Sequence, residues 1–315
     1  MKKKYLINLI ITILGLFFFT IFLNYTIDPL NYLRFNPYSF FSSERELKAR
    51  MIEEDLYDGM VMGTSKVTYL HTEDIDLEGK ILNAAFSGAM PEEMLKFLEE
   101  KNPDIKWIAI GFDWFTFSET HYPYEDYSSE KKMFSKQFDE ILAYLVSVNT
   151  SGYSLITIFK MFSKTNLLYT RWGSRTLIEK EIKHSMVKDY SYDDELQILE
   201  DRYYSRFKIS KRRINDVRAI QEWATKKNIL FIGWMNPLHE DVYKILINTI
   251  HPDALLLPQA LSEEITHFID LSKLFSDKDY FWRTDPFHYL SSTGEYFFEK
   301  HIVPLINEKM VMELK

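Results

Sequence analysis

Eighteen consecutive residues, Leu6 to Leu23, carry no charge, and three lysines, Lys2, Lys3 and Lys4, stand just before them. No other feature constrains the chain as strongly, because about 20 apolar helical residues are what a bilayer core requires. In the wider uncharged run from Tyr5 to Ile27 only Asn8 and Asn24 are strongly polar. A helix on the surface of a globular protein shows a polar stripe, whereas this segment is apolar all round, which a membrane span requires and a buried core helix of a chain this size rarely shows. A cleaved signal peptide has an apolar region of roughly 7–15 residues ending on small side chains. Here the run ends Thr20-Ile21-Phe22-Leu23-Asn24-Tyr25, with no Ala-x-Ala. The favoured reading is an uncleaved anchor over 5–27, with 1–4 as a cytoplasmic tail retained by its lysines. The chain is then expected in the cell membrane as a single-pass protein, its C-terminal bulk extracytoplasmic.

The remaining chain is long enough to bury a sizeable core without staples; 315 residues allow one large or two small domains. There is no cysteine, which excludes thiol catalysis, iron–sulfur clusters and cysteine zinc sites. A net charge of −8 argues against a nucleic-acid partner, which a basic face would signal. The hydrophobic share of 46% exceeds that of a disordered chain. With Gly and Pro at 10 each, collagen-like and low-complexity classes are excluded too.

Residues 28–55 read as a juxtamembrane connector. Asp28-Pro29-Leu30 stops the membrane helix. Ser42 to Met51 reads as a charged amphipathic helix, with Ser43 and Glu46 in capping-box spacing. Beyond it, short apolar runs alternate with helical patterns over 56–310. Strands are expected at 59–63, 80–86, 105–112, 228–235 and 265–271, and helices at 91–100, 214–227 and from Thr293 onward. Ser292 and Glu295 have capping-box spacing, and Pro304 is expected to kink or end that last helix. Alternation of this kind makes an α/β fold with a parallel sheet. The stretch 118–212 breaks the rhythm, lacks a clear strand and reads as a helical insertion over one end of the sheet, either filler or a substrate lid.

Three segments fall where an α/β enzyme places its site, just past the carboxyl ends of strands. In Met62-Gly63-Thr64-Ser65-Lys66 a strand enters a small-residue turn and then a helix. Ser65 is expected on that turn, its hydroxyl above the sheet and its N–H available to an oxyanion; an ordinary helix cap is the competing role. In Asn83-Ala84-Ala85-Phe86-Ser87-Gly88-Ala89, Gly88 permits positive φ and close backbone approach, which makes its N–H a second oxyanion donor or simply part of a turn. In Thr284-Asp285-Pro286-Phe287-His288-Tyr289, Asp285 and His288 are three apart. In a turn, that spacing lets the carboxylate fix the imidazole tautomer; a structural cap is the competing role.

An early Ser, a middle Gly and a late Asp-x-x-His together resemble the SGNH (GDSL-type) hydrolase superfamily. With its short tail, anchor and Asp-Pro connector, the layout is similar to the membrane-anchored SGNH-like proteins that partner multi-pass acyltransferases in bacterial envelopes, such as the D-alanyl transfer protein of teichoic acid synthesis and the alginate acetylation proteins. The resemblance spans about residues 56–308 plus the anchor. It implies a flavodoxin-like sheet, a Ser65–His288–Asp285 triad, and Ser65 and Gly88 as oxyanion donors. The implied activity is an esterase or O-acyltransferase on a cell-envelope polysaccharide or teichoic acid, with a multi-pass membrane acyltransferase as partner. Two departures stand out. The first block reads Gly-Thr-Ser rather than Gly-Asp-Ser. Where the family supplies an Asn donor, the strand end reads Gly111-Phe112-Asp113-Trp114, and an ionised carboxylate only accepts. Either another group supplies that donor, or Asp113 holds a loop or a substrate hydroxyl. The competing implication is a catalytically inactive SGNH-fold module that binds polysaccharide or scaffolds an acyltransferase.

His239-Glu240-Asp241-Val242-Tyr243 begins like a zinc-protease helix but lacks the second His, so no metal is expected; His239 is kept as a pocket residue or a cap. Trp114, Phe115 and Phe117 suit core packing better than sugar stacking. Neither a Walker loop nor a Gly-rich dinucleotide fingerprint occurs, so no cofactor is expected.

Overall fold

In the computed structural model, residues 2–34, 36, 38, 40–41, 44–121, 138–163, 167–176, 192–249, 255–274, 278–282 and 285–313 are described. Ser43, Thr284 and the 122–137, 164–166 and 177–191 parts of the insertion lie outside them.

Helix α1 (Lys2–Ile27) is long and apolar enough to cross a bilayer, and none of its apolar window is buried against the chain. That exposure excludes a core helix. Five strands follow: β1 (Gly59–Gly63), β2 (Ile81–Asn83), β3 (Trp107–Phe112), β4 (Leu230–Met235) and β5 (His267–Asp270). They form one parallel sheet in the order β2-β1-β3-β4-β5. Strands of a parallel sheet are covered on both faces, which is why GMVMG and WIAIGF read as unbroken apolar runs. Alternate side chains divide the core into two layers. Met60, Met62, Ile108, Ile110 and Phe231 face one cluster. Val61, Trp107, Ala109, Ile232 and Trp234 face the other.

On the first face pack α4 (Pro91–Lys101) and α8 (Lys211–Lys226). Pro91 opens α4 where a missing N–H costs nothing, and Met94, Phe97 and Leu98 form its buried stripe. Ser210 caps α8 by accepting from the Arg213 N–H. Between these helices in the chain come α5 (Phe138–Val146), α6 (Val148–Phe162) and α7 (Tyr192–Leu199). After β4 follow α9 (Glu240–Thr249) and α10 (Leu257–Glu264). The second face is covered by α11 (Ser291–Phe297) and α12 (Val303–Glu313), joined through a π-helical turn over Phe298–Ile302. That turn lies just before Pro304, so the helix absorbs the proline and continues, where a kink or stop was expected. The expected Ser292–Glu295 capping box does not form: Leu290 is the N-cap, without a side-chain bond.

Two parts of the layout differ from the sequence expectation. Helix α2 (Glu44–Glu54), assigned to the connector, belongs to the packed unit: Leu47, Ala49 and Met51 lie in the first core cluster. Lys48 is fully buried, its Nζ donating to the carbonyls of Asn83, at 2.6 Å, and Gly173. The insertion also divides. Tyr169, Leu199, Tyr204 and Phe207 join the first core cluster, whereas α5 and α6 leave the sheet and pack on α1.

Candidate active site

Parallel strands carry their carboxyl ends to one edge, and every candidate residue follows such an end or the hairpin beside it. Gly63 closes β1 opposite Gly111 of β3. A Cβ on Gly63 would sit 2.8 Å from the Gly111 carbonyl oxygen, so the close approach of the strands requires glycine there. The chain then turns into α3 (Ser65–Thr68), a single turn whose N-cap is Thr64. This places Ser65, half-buried, at the head of the turn.

The partner of Ser65 comes from 223 residues further along. A two-stranded antiparallel hairpin, β6 (Phe281–Trp282) and β7 (Asp285–Tyr289), stands beside the sheet edge. Asp285 and His288 were expected in a turn and lie on this strand instead. His288 Nε2 is 2.8 Å from Ser65 Oγ, and its Nδ1 is 2.8 Å from Asp285 Oδ2. Asp285 Oδ1 accepts from the N–H groups of Phe287 and His288, at 2.9 and 3.1 Å. Held by two backbone donors, the carboxylate keeps the proton of His288 on Nδ1 and leaves Nε2 basic toward the serine hydroxyl. Phe287 seats the hairpin. Its ring lies near Phe115 and Tyr203, at centroid distances of 5.6 and 6.0 Å, and Lys66 Nζ sits 4.5 Å above it. Trp114, Phe115 and Phe117 are all buried, so they pack the core rather than face a sugar.

Gly88 occupies the third position of a turn closed by the Ala89 N–H on the Phe86 carbonyl, with φ +69°. That conformation asks for glycine. Phe86 N–H in turn bonds the Gly63 carbonyl at 3.2 Å, which ties this turn to the strand leading into Ser65. A Cβ on Gly88 would meet nothing within 4 Å, so the backbone there borders open space.

Asp113 does not face that space. Its side chain is 1% exposed and its carboxylate is taken up by the chain's own groups. Lys66 Nζ pairs with Oδ1 at 3.0 Å, while Oδ2 accepts from Thr64 Oγ1 and, at 3.2 Å, from Asn236 Nδ2. Asn236 Oδ1 accepts from Trp234 Nε1 at 2.9 Å and from the Tyr289 hydroxyl at 3.4 Å. Burial, with the Asp113 charge nearby, pushes the Tyr289 phenol well above its ordinary value. Of the two roles expected for Asp113, the carboxylate takes the loop-holding one, in a buried ionic network beneath the Ser65 turn. Thr64, Lys66 and Asn236 were missed in the sequence; each directly follows a strand end or the candidate nucleophile, which was the available signal.

His239 is buried at the head of α9. Its ring lies edge-on to Phe281 and 3.1 Å from the Tyr192 hydroxyl, which itself donates to Asp241 at 2.9 Å. These residues, with Asp279, Trp282 and Leu290, line a cavity of about 710 Å³ against the hairpin that carries Asp285 and His288. Among the described residues, the cluster with metal-ligand geometry is His71, Asp74 and Glu295, whose donor atoms lie within 4.8 Å of one another and which shares no residue with the Ser65 site.

Compared with known proteins, the chain matches no family model and no curated sequence.

Proposed function

We propose that this chain is a membrane-anchored, extracytoplasmic serine esterase or O-acyltransferase of the SGNH type, acting on an acylated cell-envelope polymer. The observation that carries the reading is the unbroken hydrogen-bond chain Ser65–His288–Asp285 at the carboxyl edge of a parallel sheet. The strand order β2-β1-β3-β4-β5 is also the flavodoxin-like order, in which ligands sit at this edge. In the proposed reaction Ser65 Oγ attacks the acyl carbonyl while its proton passes to His288 Nε2. The N–H groups of Ser65 and Gly88 hold the oxyanion. Collapse of the tetrahedral adduct breaks the donor's ester bond, and His288 returns the proton to the leaving alkoxide. An acceptor hydroxyl, from water or an envelope glycan or teichoic acid, then gives its proton to His288 as its oxygen bonds the acyl carbon, and when the Ser65 Oγ–acyl bond breaks His288 returns that proton to Ser65 Oγ. A multi-pass membrane acyltransferase is the partner this reading implies.

A fluorophosphonate probe on the purified full-length chain tests it. Wild type should label at one site, and Ser65→Ala should abolish labelling. His288→Ala should slow it by about 10³-fold or more, with Asp285→Asn costing somewhat less because it acts through His288. The thermal midpoint of Ser65→Ala should barely move, since one half-exposed hydroxyl is lost. The inactive-scaffold reading is favoured by Asp113 standing where an Asn donor would be. An unlabelled, folded wild type decides for the scaffold.

A further inference from the structure

Helix α6 is polar inside and largely apolar outside, and α5 exposes Phe138 and Leu142 beside it. On α6 the buried positions are Thr150, Ser154 and Thr157. Its outward positions include Val148, Leu155, Ile156, Phe159 and Phe162, with Asn149 and Gly152 among them, and Val148 is 81% and Phe162 84% exposed. A helix facing water has the reverse arrangement. Small polar residues against a neighbouring helix, with large apolar ones outward, is how helices pack in lipid.

The break between the two helices points the same way. Their axes bend by 63° around Ser147. Breaking a helix frees carbonyl groups, which in hydrocarbon must be satisfied within the protein. Asn24, one of the two polar residues in the α1 run, is fully buried and serves them. Its Nδ2 donates to the carbonyls of Leu145 and Ser147, at 2.9 and 3.0 Å, and its Oδ1 accepts from Ser154 Oγ at 3.1 Å. Every hydrogen-bonding direction of that amide but one oxygen lone pair is thereby used.

Position along α1 sets the depth. Residues Leu6 to Leu23 fill the hydrocarbon, so contacts at Leu23, Asn24 and Asp28 lie at its boundary. Both flanks of the helix pair are held on the globular domain. Ser118 bridges Ile209, the Arg175 N–H donates to the Thr68 carbonyl at 2.6 Å, and Lys48 holds the Gly173 carbonyl. The pair therefore leaves and rejoins the domain on one side of the membrane. Aromatic and cationic side chains mark the boundary level: Lys160 Nζ lies 5.5 and 5.4 Å from the Phe40 and Phe41 rings, and Phe41 packs on Tyr153.

We infer that α5 and α6 form an interfacial wedge, docked on the end of α1 through Asn24, whose apolar face lies in the acyl–headgroup boundary of the leaflet on the domain side. The occupant of that face is phospholipid, because the face continues the lipid-facing surface of α1. This inference does not depend on the catalytic reading.

The absence of native cysteine makes the test direct. Single-cysteine variants Ile156→Cys and Phe159→Cys of the full-length chain are labelled with a nitroxide in phosphatidylcholine–phosphatidylglycerol vesicles. Collision with oxygen, which partitions into lipid, is compared with collision with a water-soluble nickel chelate. Ile13→Cys on α1 reports insertion, and Lys226→Cys on α8 reports water. Nitroxides at 156 and 159 should favour oxygen over nickel several-fold relative to position 226. If position 13 reports lipid while 156 and 159 match 226, the wedge is overturned, and a water-filled or protein-binding face takes its place.

Discussion

The residue beside the candidate nucleophile carries an unusual burden. Lys66 follows Ser65 directly, is 1% exposed, and has Asp113 as its ionic partner. A buried ion pair adds little net stability, since desolvation offsets the attraction, but removing one partner strands a charge. Asp113→Asn should therefore destabilise the fold by about 3–5 kcal/mol, and Lys66→Met by a similar amount. The double variant should lose clearly less than the sum, because neither charge is then left alone. Urea titration of the four proteins gives the coupling; strictly additive losses would refute the pairing. Fluorophosphonate labelling should also fall in Asp113→Asn, because the same carboxylate receives the Thr64 hydroxyl at the cap of the Ser65 turn.

The next scale up is the seating of whole elements, and a second buried lysine governs one of them. Lys48 fixes α2 to β2, and burial pushes its ammonium down to about 7. In the unfolded chain the group keeps its ordinary value near 10.5. Between pH 7 and 10 the unfolded state thus binds more protons, and stability gains up to about 1 kcal/mol per pH unit as pH rises. Below pH 7 both states are protonated and the desolvation cost is constant. The stability of wild type relative to Lys48→Met should climb from pH 7 to 10; a flat difference in denaturant midpoints would show that Lys48 is solvated. The lysine also shows what sequence could not reveal, since its acceptors belong to residues 35 and 125 positions away. Strands β1 to β4 were legible because burial leaves an apolar run, whereas β5, a half-buried edge strand reading HFID, gave only a vague start. Ser65 and Gly88 were legible as candidates because such a sheet collects its strand ends on one edge, and Asp285 and His288 because of their three-residue spacing. The β6–β7 hairpin was not: its strands are two and five residues long, too short for a period to show. Nor was the use of Glu295, whose carboxylate meets His71 and not its own helix end. The Thr64–Asp113–Lys66–Asn236 network depends on the register of β1, β3 and β4, which no local pattern encodes.

At the scale of the whole molecule, the end of α1, a helix long and apolar enough to cross a bilayer, is tied to the turn that follows it and to α5. The Asp28 carboxylate accepts from the N–H groups of Tyr32, Leu33 and Arg34, each at 2.9 Å, and from the Tyr144 hydroxyl at 2.8 Å. Tyr32 stacks on Tyr144 with centroids 4.6 Å apart. Because the domain follows α1 in the chain, the direction in which α1 inserts into a bilayer decides which compartment Ser65 faces. Charge sets that direction. Lys2, Lys3 and Lys4 precede the apolar run, whereas Arg34 alone stands within the segment 28–42 that follows it. Basic residues near a span are retained on the cytoplasmic side, so the domain should emerge on the opposite side. Protease added to intact cells or spheroplasts should accordingly digest the domain, while a cytoplasmic marker in the same cells survives. Full protection of everything beyond residue 30, with digestion only after lysis, would put Ser65 in the cytoplasm. An envelope polymer could not then reach it, and the acyl-transfer reading would fall however well the triad is formed.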